Sequence, residues 1–248
     1  MSAYDEAFYE SQMAESLASA RLYLGHLWKF IQPSSVVDVG CGRGMWLKAA
    51  GELGATRLLG LDGNWNRQDL MSDPAIRFSE IDLNQRFKIE PCDIAMSLEV
   101  AEHLLPEAAA GFVASLASVA DVIVFGAAYT GQGGTEHINE QPMSYWVGLF
   151  SDEGFDVFDV FRPTFWGDSR IPFWYRQNTM VYARRQSAVR AAFVGMEAQF
   201  LDCVHPDMYS IALTMAQPRE VGFSSHARAL VPSLTKAVRR RLISTAKP

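Results

Sequence analysis

The chain has 248 residues, 49% of them hydrophobic and 20% charged, with a formal net charge of −6. That length suits one large domain, or one domain with an appendage, and the acidic balance argues against a broad electrostatic grip on nucleic acid. Three widely spaced cysteines (Cys41, Cys92, Cys203) without a C-x-x-C read as reduced thiols of a cytosolic protein, and no run of about eighteen apolar residues suggests a membrane span.

The N-terminus, "MSAYDEAFYESQ", is acidic and lacks the apolar stretch of a signal peptide. From about Tyr4 to Ile31 the pattern predicts a helix with Leu17, Leu24, Leu27 and Trp28 on one face, ended by Pro33 and two serines. Short apolar runs then alternate with helical patterns. Strands are predicted at 35–40, 57–63, 76–83, 92–98, 121–128, 155–162 and 178–185, and helices at 44–54, 99–120 and 142–154. The second of those helices is expected to be interrupted near Pro106. The stretch "PTFWGDSRIPFWYRQ" before the last strand reads as an aromatic loop. This alternation indicates an α/β fold, a Rossmann-like seven-stranded, mostly parallel sheet with helices on both faces. The last two runs lie too close for a helical crossover, so the final strand should be antiparallel. Three regions result: an N-terminal helix at 1–32, a core at 33–185 and a helical appendage at 186–248. The basic residues at its end (Arg228, Lys236, Arg239, Arg240, Arg241, Lys247) read as a solvated helix face, with an oligomer contact or an anionic partner as alternatives.

In open α/β sheets, ligands bind beyond the carboxyl ends of the strands. The first strand here ends near Asp38 and turns through Gly40, Gly42 and Gly44 in the form D-x-G-x-G-x-G. A dinucleotide fingerprint would need glycine where Met45 stands. An acidic residue ahead of the glycines repels a pyrophosphate but suits an ammonium group. Asp62 closes the second strand about twenty residues on, placed to accept bonds from a ribose diol. Asp82 closes the third, where it could accept an adenine amine, with Leu83 beside it.

The ordered segments "VVDVGCGRG", "LLGLDG", "EIDL" and "SLEVAEHL" resemble the class I S-adenosylmethionine-dependent methyltransferases over about residues 33–185. That resemblance implies the methionine moiety over Gly40, Gly42 and Gly44, the ribose on Asp62 and the adenine amine on Asp82. It also implies that Ser97 to Glu99 face the methyl group. A closer resemblance, carried by "SARL", "GQGGTEHINEQ", "YW", "WYRQN" and weakly by "VHPDMY", is to bacterial methyltransferases that accompany sugar and polysaccharide biosynthesis. It implies a small sugar-like or nucleotide-sugar acceptor; the acidic charge and the reduced cysteines are the grounds for expecting no nucleic-acid partner and a cytoplasmic enzyme, and the basic end leaves a homo-oligomer as one option. Tyr9 and Gln12, on the first helix, are candidates to cover the cofactor.

Glu99, Glu102 and His103 stand at i, i+3 and i+4, so a helix starting at Glu99 would bring them to one face. His137, in the glycine-rich loop after the fifth strand, opens at the same rim. Two carboxylates and two imidazoles converging there would suit a divalent cation with open positions: magnesium, manganese or iron. The E-x-x-E-H arrangement resembles the metal site of small-RNA 2′-O-methyltransferases, which implies a cation holding the oxygens of a sugar diol. Other readings of the same residues are His103 as a general base without metal, the glutamates as a solvated helix start, and His137 as a loop-ordering residue. Substrate contacts are expected from Asn139, Glu140, Gln141 and Trp146, beside the proposed metal face. Trp174 and Tyr175, followed by the amides Gln177 and Asn178, could stack on a sugar and bond its hydroxyls. The function expected is O-methyl transfer, with N-methylation of an amine or phosphoramidate, or a non-catalytic cofactor-binding scaffold, as the alternatives.

Overall fold

The computed structural model describes residues 3–216, with side chains from 13 to 214. Its strands are β1 (Ser35–Val39), β2 (Arg57–Asp62), β3 (Ile76–Glu80), β4 (Ile94–Leu98), β5 (Val122–Gly126), β6 (Phe155–Phe158) and β7 (Met180–Arg184). Both β1 and β5 are buried at every residue, and β4 at all but its last. That is why they read as unbroken apolar runs: a parallel strand covered on both faces has no solvent side to encode. The seven strands form one sheet in the order β3-β2-β1-β4-β5-β7-β6. All pairings from β3 to β5 are parallel, whereas β7 runs antiparallel to both β5 and β6. The short link between the last two strands announced the reversal. It did not announce that β7 would insert between β5 and β6.

The helices are α1 (Ala3–Leu27), α2 (Met45–Glu52), α3 (Ala109–Val119), α4 (Met143–Asp152), α5 (Arg162–Phe165), α6 (Phe173–Asn178) and α7 (Pro206–Ala216). One core cluster joins α1 and α2 to the sheet through Tyr23, Leu24, Leu27, Trp46 and Leu47. There the Tyr23 ring stacks on Phe161 at 4.4 Å and on Phe165 at 4.9 Å. The other cluster joins α3 and α4 through Phe112, Leu116, Phe125, Trp146 and Phe150. Contacts mark a boundary between two units after Tyr209.

Two expectations need correction. No helix spans 99–120: Glu99 leaves β4 with a left-handed φ of 55°, Ala101–His103 makes a single 3-10 turn, and the continuous helix is only α3. Leu105, extended ahead of Pro106 (ψ 135°), keeps the segments apart, because proline disfavours helical geometry in the residue before it. The aromatic stretch before β7 is not a loop throughout, since it folds into α5 and α6, each with proline at its first turn or N-cap. The basic residues from Arg228 to Lys247 lie outside the described residues.

Candidate functional site

The strand order reverses between β1 and β4, and a ligand crevice is expected there, beyond the carboxyl ends of the strands. Two adjoining cavities, of about 620 and 750 Å³, open at that place and share Gly40, Gly42, Glu99 and His103 as walls.

The glycine turn forms the floor. Gly40 has a φ of 84°, and a Cβ there would collide with the Val100 side chain, so no other residue fits. Its amide and that of Cys41 bond the Leu61 carbonyl at 2.7 and 3.1 Å, tying the turn to the end of β2. One Asp62 oxygen accepts the Gly42 amide at 2.8 Å and the other accepts the Gly63 amide at 2.8 Å. Asp62 is thereby fixed with lone pairs to spare for a ligand's hydroxyls. Burial still raises its pKa, with those amides opposing the shift.

Asp38 is 3% exposed and lines the smaller cavity. Its pKa is pushed up to about 8 by burial and then by the neighbouring Asp62. A buried carboxylate that nothing acts to lower is complementary to an ammonium. Asp82 and Leu83 line the larger cavity, although both fall after β3 ends at Glu80; an Asx turn to the Asn84 amide at 3.0 Å orients Asp82. Ser97 does not meet the expectation of facing a cofactor: it is fully buried in β4, and Leu98, Glu99 and Val100 form the wall instead. Tyr9 and Gln12 lie on α1, but their side chains fall outside the described residues.

At the end of β4, Glu102 is 1% exposed and neither carboxylate oxygen has a well-formed hydrogen bond, only the weak pull of its own amide and that of Ala128. Burial, and next the charge of Glu99, push its pKa up to about 9, against the lowering effect of those two amides. Ligand atoms of Glu102, His103 and His137 lie within 4.8 Å of one another, and the two imidazole centroids are 4.8 Å apart at 85°. His103 Nδ1 lies 3.3 Å from the Glu136 carbonyl, which can only accept, so Nδ1 carries the proton and Nε2 is left bare. Burial lowers the His103 pKa, favouring the neutral ring. Of the four residues expected to converge, three do. Glu99 stands apart: one of its oxygens takes the Asn178 amide at 3.0 Å and the other the Gln132 amide at 2.9 Å. Burial raises its pKa despite these two donors.

The loop after β5 carries His137 and most of the expected substrate contacts. The amides of Ile138 and Asn139 both bond the Glu102 carbonyl at 2.9 Å, so loop and 3-10 turn are one piece. Asn139 is 2% exposed, with its side chain 3.2 Å from the Ala101 carbonyl and bonded by Gln141 at 3.0 Å. Both residues brace the loop rather than face the cavity. Trp146 is a clearer correction: it has no exposed surface and packs on Phe125 at 5.2 Å, so it is core. Trp174 and Tyr175 do line the smaller cavity, with Pro172 and with Met13 and Ser16 of α1.

Three residues of the crevice escape a reading of the sequence or are misread by it. Trp65, 61% exposed, sits over Gly63 on the rim of the larger cavity. Gln132 and Asn178 hold Glu99. Asn178, expected as a sugar-binding amide, is fully buried. Nothing in the local pattern points to a carboxylate 79 positions away.

A methyltransferase-domain family model matches residues 9–121, the part that supplies the glycine turn, Asp62, Asp82 and the Glu99–His103 segment. No curated protein sequence matches the chain. Among solved structures, it is similar to the magnesium protoporphyrin IX methyltransferase of Synechocystis PCC 6803 with bound SAH. That similarity has 18% identity and a TM-score of 0.53, covering 74% of this chain and 88% of that one. It is similar also to the methyltransferase domain of bacterial CtHen1-C, at 17% identity and a TM-score of 0.51, over 67% of this chain and 97% of that one. At such identities the likeness shows the fold, a Rossmann-like methyltransferase fold. No helix among the described residues is long and apolar enough to cross a membrane. The family match over residues 9–121, together with the fold, supports an enzyme of the methyltransferase kind.

Proposed function

We propose that the protein transfers a methyl group from S-adenosylmethionine to a hydroxyl of a small sugar-like acceptor, with a divalent cation held by Glu102, His103 and His137. The observation that carries this reading is the Glu102 carboxylate, which has no well-formed hydrogen bond and is buried on the cavity wall within 4.8 Å of two imidazole nitrogens. Leaving such a group unpaired is unfavourable by about 1–3 kcal/mol or more, and a cation would satisfy it. A divalent ion bound there supplies Lewis acidity, which makes a hydroxyl a competent nucleophile near neutral pH.

The cofactor would lie across both cavities. Its ammonium is assigned to Asp38, its methionine backbone to the turn at Gly40, Gly42 and Gly44, its ribose diol to Asp62 and its adenine amine to Asp82, beside Leu83. Glu99, fixed by two amides on the wall common to both cavities, adds a second carboxylate beside the reacting centre. Trp174 and Tyr175 offer ring faces to a sugar.

Calorimetric titration with S-adenosylhomocysteine and with manganese chloride tests the reading. Wild type should bind both, and Glu102→Ala should lose manganese while keeping S-adenosylhomocysteine. A wild-type chain that binds no S-adenosylhomocysteine overturns the cofactor assignment. Methyl transfer indifferent to a chelator would point to an amine acceptor, whose lone pair needs no metal.

A further inference from the structure

Glu140 is expected from sequence to touch substrate, but its carboxylate is committed elsewhere. One oxygen accepts the Gly131 amide at 2.8 Å, and the other accepts both the Gly133 amide at 2.7 Å and the His137 Nδ1 at 2.8 Å. The pair is mostly shielded, with side-chain exposures of 13% for His137 and 18% for Glu140. Reaching this arrangement requires left-handed backbone at Gly131 (φ 84°), Gly133 (φ 72°) and Glu136 (φ 59°). The two glycines adopt it freely, but at Glu136 it is strained and persists only where the surroundings over-determine it. Gly134 completes the seat, because a Cβ there would collide with the His137 ring.

A carboxylate accepts and cannot donate unless protonated, so a proton sits on His137 Nδ1, and in the neutral ring that tautomer leaves the Nε2 lone pair bare. The ring is thus set in the tautomer that can ligate. We propose that Glu140 is a positioning residue for the cation site: it fixes the tautomer and orientation of His137 and ties both to the folding of the 129–141 loop. This rests on the reading in which Glu102, His103 and His137 hold a divalent cation. Glu140 itself touches neither cation nor acceptor. Carboxylates behind ligating histidines are worth about 10–100-fold in metal affinity.

The test uses the full-length chain and manganese alone as the probe. Glu140→Gln keeps the size but cannot accept all three bonds. Its manganese affinity should fall by about 10–100-fold, while S-adenosylhomocysteine affinity holds. Nitrogen-15 shifts should place the wild-type His137 proton on Nδ1 and show mixed tautomers in the variant. A folded Glu140→Gln chain that binds manganese like wild type overturns the proposal. So does a wild-type His137 with its proton on Nε2, a measurement that decides alone if the variant fails to fold. A wild-type chain that binds no manganese defeats the cation reading and this role together, whereas wild-type binding unchanged in the variant defeats this role only.

Discussion

Asp38 sits where an ionised carboxylate is disfavoured at neutral pH unless a cationic ligand group lies beside it. Its pKa stands near 8, raised from the ordinary carboxylate value by burial and by Asp62. The folded state therefore holds a proton that the unfolded chain releases at about pH 4. Stability from this group is fully present below the unfolded pKa and is lost as pH rises towards 8. Asp38→Asn removes that dependence. In melting curves without ligand, the variant should gain on wild type between pH 5 and pH 8, by several degrees at about 2–4 °C per kcal/mol. A Tm difference equal at both pH values would mean that Asp38 titrates normally. The same variant should weaken S-adenosylhomocysteine binding by about 10–100-fold, the loss of one charge-assisted bond of about 1.5–3 kcal/mol.

At the scale of elements, the C-terminal turn of α6 is held from behind. Arg176, nearly buried, donates to the Trp166 carbonyl at 2.8 Å and to Asp207 at 2.7 Å. The His205 amide bonds the Gln177 side-chain oxygen at 2.7 Å, Gln177 bonds Asn178 at 2.9 Å, and Asn178 reaches Glu99. The "VHPDMY" segment is thus joined to the crevice by three side-chain links. Removing Arg176 takes away one of two donors to the Trp166 carbonyl, the other being His205 Nε2 at 2.9 Å, together with the bond to Asp207, and should destabilise the protein by about 1.5–3 kcal/mol. Asp207 is 55% exposed, so Asp207→Asn should change stability by less than about 1 kcal/mol. Thermal melting of the two variants checks the contrast, and equal losses would mean that the ion pair, not the Arg176–Trp166 bond, holds the turn. The relay also separates the legible part of the site from the rest. Asp38, Asp62 and Asp82 are legible because strand ends are marked by local pattern. Glu99, Glu102 and His103 are picked out by a helical spacing that does not exist; the left-handed Glu99 and the 3-10 turn bring Glu102 and His103 to the crevice by another route. Gln132 and Asn178 carry no local signal, since their partner is fixed only by the sheet.

For the whole molecule, the β-strands are readable and their last connection is not. Apolar runs and turns mark strands, whereas the insertion of β7 is made by its pairings with β5 and β6, and the residues after Arg185 cover the β6 edge. There the chain returns as a strap: Phe193 is fully buried on Phe158, Arg190 pairs with Asp156 at 2.7 Å, and the Asp159 amide bonds the Met196 carbonyl at 2.8 Å. Glu197 makes an antiparallel bridge to Phe158 of β6. A boundary after Arg185, natural from sequence because the last strand ends there, would cut all of this away. Deleting one buried phenylalanine side chain is worth about 3–5 kcal/mol, against a total stability of about 5–15 kcal/mol for a typical domain. A chain ending at Arg185 should therefore lack a cooperative melting transition. One ending at Ala216 retains the strap and the His205–Gln177 bond, and should melt cooperatively. Circular dichroism melts of the two truncations decide the matter. Cooperative unfolding of the shorter chain would mean that the strap covers the sheet without holding it, and that α6 keeps its place on Glu99 unaided.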